Sequence, residues 1–262
     1  QLSLALRNTM ILQRKFTPEA AVQAIEKNRP YTIAMVPTML RRMLEAVPEG
    51  FNPGTKIIAT SGEALPPTVI EETQKKFGDV LYNLYGSTEV SWASIATPED
   101  LRRYPKTAGQ PPMATTLKIL DDDGNELPAG ETGRIFVKND MLFEGYTRPG
   151  SDKEIIDGMV ATGDLGHYNE EGLLFIAGRS DDMIVSGGEN VYPQDTENLF
   201  NARKDIAEAA VRGVDCPHFG QALCAWVVFR DKNAAELTDA EKREFEEEMQ
   251  AEAKQKLARH AV

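Results

Sequence analysis

Apolar and polar positions in the first hundred residues predict helices that alternate with short buried strands. Thr17, Pro18 and Glu19 have the chemistry of a helix start, because threonine caps, proline fits the first turn and an acid favours the helix dipole. Apolar residues then recur at helical spacing until Pro30, which ends the helix. The runs YTIAMV, KIIATS and DVLYNLY are apolar enough to be buried strands. This alternation indicates an α/β fold with a mostly parallel sheet.

The pattern changes near Gly109, where strand-type alternation becomes dominant. An Asp123-Gly124 turn inside TTLKILDDDGNELPAGETGRIFVK predicts a hairpin, and GLLFIAGR predicts a further strand. Beyond that strand, AEAAVRGVD and ALCAWVVFR predict two more strands. Thr238 and Glu241 form a capping-box pattern at the start of a charged helix. The second part of the chain is therefore expected to be β-rich and then mixed α and β.

Composition narrows the classes of function. The 262 residues carry 29 Lys and Arg against 41 Asp and Glu, a net charge of −12, which disfavours a nucleic-acid partner. No apolar run is long enough to span a bilayer, so a cytoplasmic location is expected, with peripheral membrane contact left open. Cys216 and Cys224 lack the spacing of a metal site and are interpreted as small buried hydrophobes rather than a disulfide.

The segment YGSTE follows the third apolar strand and concentrates candidate chemistry. Ligands of α/β sheets bind beyond the carboxyl ends of parallel strands. There Tyr85 can lie against a flat base, Gly86 allows close approach of a substrate, and Thr88 can donate to a phosphate. Glu89 can bind Mg²⁺, which accepts one or two carboxylates together with substrate phosphates. The alternative is a strand-ending turn with an incidental acid.

Two later positions favour the nucleotide hypothesis. Asp164, in TGD, can accept hydrogen bonds from both hydroxyls of a ribose. Arg179, in AGR, offers fixed donors to the same sugar or to a phosphate. Taken singly, each is as well explained as a solvated turn acid or a surface base.

In order and spacing these segments resemble the adenylate-forming superfamily, which includes acyl-CoA synthetases and other AMP-binding enzymes. The resemblance rests on SGEALP, NLYGSTE, GETGRIFVK with EGYT, TGDLGHYNEEGLLFIAGRSDDMIVSGGENVYP and GVDCPHFGQALCAWVV. SGGENVYP is most similar to the CoA-ligase branch, and NDMLFEGYT is similar to bacterial fatty-acid CoA ligases. The resemblance implies that residues 1–178 are the second half of a large layered α/β domain, with a β-rich subdomain at about 109–178. Residues 179–262 would then be a small, mobile, truncated α+β C-terminal domain.

The resemblance also implies a set of site residues. Those of the adenine slot are Gly62, Glu63, Ala64, Asn83 and Tyr85. Those beside the acyl carboxylate are Gly86 and Ser87. The catalytic pair would be Thr88, which contacts the phosphates, and Glu89, which binds magnesium. Those of the ribose site are Asp164, Arg179 and the flanking Ile176. Those that serve the small domain are the hinge Asp182 and a CoA-side loop of Gly187, Gly188 and Glu189.

The activity implied is ATP-dependent activation of a carboxylic acid, expected to be a fatty acid, through an acyl-adenylate and then a CoA thioester. ATP, AMP, Mg²⁺ and CoA are the implied cofactors and substrates. The phosphate loop and catalytic lysine of the superfamily are expected outside this chain, so we predict that the chain alone is inactive. Asp181 stands where many relatives have a lysine. Two alternatives stay open: a non-catalytic adenosine-binding remnant, and an enzyme that transfers the acyl group to a carrier protein.

Overall fold

A computed structural model describes residues 7–147, 152–186, 189–216 and 220–257, with the backbone alone at positions 185, 189 and 190. The chain divides into two compact units. The first contains residues 1–84 and 97–105, and the second contains residues 85–96 and 106–262. The division falls within one strand, between Leu84 and Tyr85. The boundary predicted between residues 178 and 179 stays a prediction.

The α-helices are α1 (Pro18–Asn28), α2 (Pro37–Ala46), α3 (Pro67–Phe77), α4 (Pro98–Arg103), α5 (Pro193–Asn201) and α6 (Asp239–Lys256). The first strands are β1 (Thr32–Met35), β2 (Ile57–Ser61), β3 (Leu81–Ser87), β4 (Ser91–Ala96), β5 (Thr107–Gly109), β6 (Thr116–Leu120) and β7 (Gly133–Lys138). The later strands are β8 (Ile155–Ile156), β9 (Met159–Tyr168), β10 (Leu174–Arg179), β11 (Ile184–Ser186), β12 (Glu189–Val191), β13 (Ile206–Cys216) and β14 (Gly220–Phe229).

The first unit confirms the helix–strand alternation. The Thr17 hydroxyl accepts a hydrogen bond from the Ala20 amide at 3.2 Å and caps α1, as its sequence predicts. The helix ends at Arg29, which adopts a left-handed conformation before Pro30. Strand β1 pairs with β2, and β2 pairs with residues 81–84 of β3, all in parallel. This arrangement is the parallel sheet expected of an α/β fold.

The YGSTE segment differs from the sequence prediction in one respect. Strand β3 continues through Ser87, so Tyr85 and Gly86 are strand residues, and the turn lies at Thr88 to Val90. Strand β4 follows at once, a strand that the sequence analysis did not predict. The tip of a tight strand pair therefore carries the candidate chemistry, rather than a turn into a helix.

A six-stranded sheet forms the centre of the second unit, in the order β5-β10-β9-β7-β6 with β8 paired to β9. The predicted Asp123-Gly124 turn is present, but β6 pairs with β7 across a longer connection than a tight hairpin. Buried side chains of this sheet form an apolar cluster together with Val90 and Ala93, and its other members are Ala108, Leu117, Ile119, Ile135, Val137, Val160 and Leu174. Leu120, Phe136 and Met159 form a second buried cluster on the same sheet. Two candidate site residues of the second unit, Tyr85 and Ile176, pack against the first of these clusters.

The last part of the second unit is a four-stranded antiparallel sheet in the order β12-β11-β14-β13. The capping box of Thr238 and Glu241 at the start of α6 is confirmed. Met249 of α6 is buried, and Phe245 packs against the same cluster. Both cysteines are free and half-buried. In the part of the chain that the structure describes, every helix is too short or too polar to cross a lipid bilayer.

Candidate nucleotide-binding site

The turn that carries Gly62, Glu63 and Ala64 follows β2 in the first unit, and all three residues are exposed. Gly62 has a φ of +89°, a left-handed conformation that favours glycine. The Glu63 carboxylate accepts hydrogen bonds from the amide and hydroxyl of Thr38, at 3.1 and 2.7 Å. Thr38 lies in the first turn of α2, whose own N-cap residue makes no side-chain bond. Glu63 therefore supplies the missing cap, and this fixes the turn against the helix N-terminus.

Asn83 lies on β3 beside Thr60 of β2, with which it is paired in the parallel register. The Thr60 hydroxyl is within 3.2 Å of both the Asn83 Oδ1 and the Tyr82 carbonyl oxygen, and can donate to either. The side-chain oxygen of Asn83 thereby has a defined partner inside the first unit. Its role beside an adenine, like that of Gly62, Glu63 and Ala64, stays a prediction.

Tyr85 and Asp164 form the buried centre of the site in the second unit. The Tyr85 hydroxyl donates to Asp164 Oδ2 at 2.6 Å, which joins β3 to β9. The Tyr85 ring packs against the apolar cluster of the six-stranded sheet, and burial beside an anion raises the pKa of its hydroxyl well above the ordinary value. Burial also raises the pKa of Asp164, although Tyr85 and Arg179 act in the opposite direction. The sequence predicted both residues, and the structure brings them into direct contact.

Arg179 lies opposite Asp164, because β10 pairs with β9 at that register. Arg179 Nη1 is 3.8 Å from Asp164 Oδ1. Its Nε and Nη2 atoms donate to the two carboxylate oxygens of Asp181, at 3.1 and 3.2 Å. Asp181, noted in the sequence only as a departure from relatives, therefore orients the guanidinium. Ile176, predicted to flank the ribose, is half-buried against the apolar cluster.

Glu89 lies in the turn after β3 and is held by two neighbours. The Tyr146 hydroxyl donates to Glu89 Oε1, and the Glu89 amide donates to the Ser87 hydroxyl at 3.3 Å. The hydrogen bond from Tyr146 is the largest cause that lowers the pKa of Glu89, from 4.5 to about 2. The carboxylate is therefore ionised at every pH near neutrality. Thr88, beside it, is exposed at the tip of the turn.

Gly86 is required because a side chain at this position would overlap the protein's own backbone. A Cβ atom at this position would lie 1.8 Å from the Ser91 carbonyl oxygen and 3.2 Å from the Trp92 Cα. The start of β4 occupies the space that a side chain at this position would need, and the role of Gly86 beside a substrate stays a prediction. The glycine therefore allows the tight strand pair to form, and this pair presents Thr88 and Glu89 at its tip.

Sequence reasoning missed the segment from Asn139 to Tyr146 as part of the site. The Asn139 side chain donates to the Val90 carbonyl at 2.8 Å, and the Phe143 amide donates to the Glu89 carbonyl at 2.9 Å. The rings of Phe143 and Tyr146 meet edge to face, with centroids 4.9 Å apart. The quoted motif NDMLFEGYT contains this segment, so the family resemblance was the one available signal for it.

The residues predicted to serve the small domain are described only in part. Asp182 lies in an exposed turn between β10 and β11. Gly187 and Gly188 lie outside the described residues. Glu189 begins β12, where its backbone pairs with Ser186. The hinge and the CoA-side loop stay predictions.

The donor set at Glu89 fits magnesium in a nucleotide complex. Mg²⁺ prefers oxygen ligands and is commonly held by one or two carboxylates together with phosphates and water. Glu89 is one ionised carboxylate at the tip of a turn. Within the described ranges, no group of three or more His, Cys, Asp or Glu side chains could form a metal site made of protein alone. The ion would therefore be bound through the substrate phosphates as well.

Comparison with known proteins gives the family. The AMP-binding enzyme family matches residues 2–147, and the AMP-binding enzyme C-terminal domain matches residues 195–262. This chain belongs to the AMP-binding enzyme family. Among curated relatives, indoleacetate–CoA ligase of Aromatoleum aromaticum is 35% identical over 232 residues, covering 86% of this chain and 45% of that protein. The 2-succinylbenzoate–CoA ligase of Geobacillus kaustophilus is 35% identical over an alignment of 270 residues, covering 100% of this chain and 53% of that protein.

A solved structure confirms the fold class of this AMP-binding family member. The o-succinylbenzoate CoA synthetase of Bacillus subtilis, in complex with the acyl-adenylate intermediate OSB-AMP, is similar with a TM-score of 0.86 and 28% identity. The match covers 99% of this chain and 51% of that one. The adenylate-forming fold with a small C-terminal domain is thus confirmed. The chain spans about half the length of the curated relatives it matches.

Proposed function

We propose that the protein containing this chain activates a carboxylic acid with ATP and transfers the acyl group to CoA. The observation that carries the proposal is the Tyr85–Asp164–Arg179 arrangement in the same unit as the ionised Glu89. A carboxylate can accept hydrogen bonds from both hydroxyls of a ribose. Asp164 is such a carboxylate, and the guanidinium of Arg179 lies beside it. Membership of the AMP-binding family supports the same assignment.

The proposed reaction has two steps. A carboxylate oxygen of the acid attacks the α-phosphorus of ATP, the bond to the pyrophosphate oxygen breaks, and an acyl-adenylate forms. Asp164 and Arg179 would hold the ribose, Thr88 would donate to a phosphate oxygen, and Glu89 would hold Mg²⁺, which would neutralise phosphate charge. In the second step the CoA thiol gives its proton to solvent and its sulfur attacks the acyl carbonyl carbon. The bond from that carbon to the phosphate oxygen breaks, and AMP leaves. The enzyme would have to bring two anions together, the substrate carboxylate and ATP. Several contacts to adenosine would hold ATP in position for this step.

The acid is the part of the proposal that the experiment must decide. A fatty acid is the sequence-based prediction. The relatives named above act on indoleacetate and 2-succinylbenzoate according to their names, so acids with an aromatic ring are the direct competitors.

The experiment measures ATP–pyrophosphate exchange with the complete gene product and with the 262-residue chain. We expect exchange that depends on an acid from a panel of fatty acids, indoleacetate and 2-succinylbenzoate, in the complete protein only. A complete protein that exchanges with no acid but still binds adenosine would support the remnant hypothesis. If exchange is followed by acyl transfer to a phosphopantetheine carrier protein and not to CoA, the acceptor in the proposal would be the carrier protein instead of CoA.

A further inference from the structure

Lys153 is a cation of the second unit that the site described above does not use. It lies two residues before β8 and is half-buried. Its ammonium donates to the Thr162 carbonyl oxygen at 3.2 Å, two residues before Asp164 on β9. A carbonyl oxygen carries no net charge, so this bond orients the ammonium and leaves its charge available.

Lys153 and Arg179 converge on one glycine. A Cβ atom at Gly163 would lie 3.3 Å from Lys153 Nζ and 3.4 Å from Arg179 Nη2. Gly163 has a φ of +88°, so its glycine identity is required by the backbone as well. Two cations therefore reach the same point of β9, immediately before the carboxylate predicted to hold the ribose.

The two cations differ in how far they are neutralised. Arg179 is paired on two of its nitrogens with Asp181, and its third faces Asp164. Lys153 has the neutral Thr162 carbonyl as its hydrogen-bond partner among the described residues. Its charge nevertheless acts on Asp164 and Asp181, since it is among the causes that lower the pKa of each. The lysine therefore lies close to the carboxylate predicted to hold the ribose.

Under the proposed function, the phosphates of a bound nucleotide would come close to these groups. The phosphates are joined to the ribose, which Asp164 would hold, and they share Mg²⁺ with Glu89. A triphosphate bound in that way passes between these two carboxylates, where it needs positive charge. We propose that Lys153 is a phosphate-binding residue, which together with Arg179 brackets the polyphosphate of ATP from the Gly163 side. This inference rests on the proposed function and adds to it a residue and a contact.

The test is binding of ATP, AMP and adenosine to the complete gene product, measured by calorimetry in the presence of Mg²⁺. Lys153→Met is expected to weaken ATP binding about tenfold, because a charged contact to phosphate is lost. AMP, with one phosphate, should weaken less, and adenosine should bind as to the unsubstituted protein. Lys153→Arg keeps the charge and should retain most of the ATP affinity.

A matched control is Lys138→Met. Lys138 Nζ lies 3.3 Å from the Cβ position of Gly158, another glycine of positive φ in the same unit, and it has no part in the site. This variant should bind all three ligands normally. Equal ATP affinity in Lys153→Met and the unsubstituted protein would overturn the inference, and so would an equal loss for adenosine, which indicates a structural role. Absence of ATP binding by the unsubstituted protein would instead refute the proposed function, and the inference with it.

Discussion

Two tyrosine–carboxylate hydrogen bonds lie on either side of Gly86, and they occupy different environments. Tyr85 packs against the apolar cluster and donates to Asp164, whose side chain is 18% exposed. Tyr146 donates to Glu89 at the tip of a turn, and 39% of the Tyr146 surface is exposed. The same donor and acceptor chemistry is therefore used once inside the protein and once at its surface.

The pKa values of the two carboxyl groups move in opposite directions. A hydrogen bond to the ionised form lowers a carboxyl pKa, whereas burial raises it. At Glu89 the hydrogen bond is the larger effect, and the pKa falls to about 2. At Asp164 burial is the larger effect, and the pKa is raised. A tyrosine hydroxyl is the partner in both cases. Glu89 is thus a permanent anion suited to a metal ion, whereas Asp164 is a less acidic acceptor suited to hydroxyl groups.

The largest effect is expected for Gly86→Ala, because both hydrogen-bonded pairs depend on the strand pair that this residue allows. The new Cβ atom would overlap the Ser91 carbonyl oxygen at 1.8 Å. We expect a loss of about 3 kcal/mol or more in the free energy of unfolding. Urea denaturation followed by circular dichroism measures it.

Gly54→Ala is the control for that substitution. Gly54 has a φ of +75° and nothing within 4 Å of its Cβ position, so only backbone strain of about 1 kcal/mol is expected. Equal losses for the two variants would show that the contact with Ser91 does not constrain the strand pair.

Tyr85→Phe tests the buried pair. It removes the 2.6 Å bond and leaves Asp164 without its tyrosine partner in an apolar setting. We expect a loss of about 1–2 kcal/mol in stability at neutral pH. The pKa of Asp164 should rise further, because a bond that lowers it is gone. Carboxyl ¹³C NMR titration measures the shift, and an unchanged or lowered pKa would contradict the balance described above. Since the folded pKa is already raised, the contribution of Asp164 to stability is lost as the pH rises through that pKa.

Tyr146→Phe tests the exposed pair and should have the smallest effect on stability. The pKa of Glu89 is expected to move from about 2 towards 4.5, while Ser87 keeps part of the shift. The depressed pKa stabilises the fold above pH 4.5, and this stabilisation is lost as the pH falls towards 2. After allowance for solvent screening, the variant should lose about 1 kcal/mol at pH 6 and less at pH 3. Urea denaturation at the two pH values measures the loss of stability, and ¹³C titration of Glu89 measures its pKa. Equal losses of stability at pH 6 and pH 3 would contradict the conclusion that Tyr146 lowers the pKa of Glu89.

Local patterns predicted much of the fold and part of the site. The capping residue Thr17 and the capping box of Thr238 and Glu241 involve neighbours within four positions, so the sequence is sufficient to identify them. The prediction for YGSTE was less complete. Its residue types indicated chemistry, but nothing local indicated that the strand extends to Ser87 or that β4 begins at Ser91.

Residue patterns along the chain are sufficient to indicate the helix–strand alternation, the family through its ordered motifs, and four candidate site residues, which are Tyr85, Glu89, Asp164 and Arg179. The partners of these residues become visible only in the folded chain. Tyr85 meets Asp164 across 79 positions, and Tyr146 meets Glu89 across 57. A periodic pattern reports on the surroundings of adjacent residues, whereas these contacts depend on which strands pair and in which register. For the same reason the balance between burial and hydrogen bonding, which sets the opposite pKa shifts of the two carboxyl groups, could be found only in the folded chain.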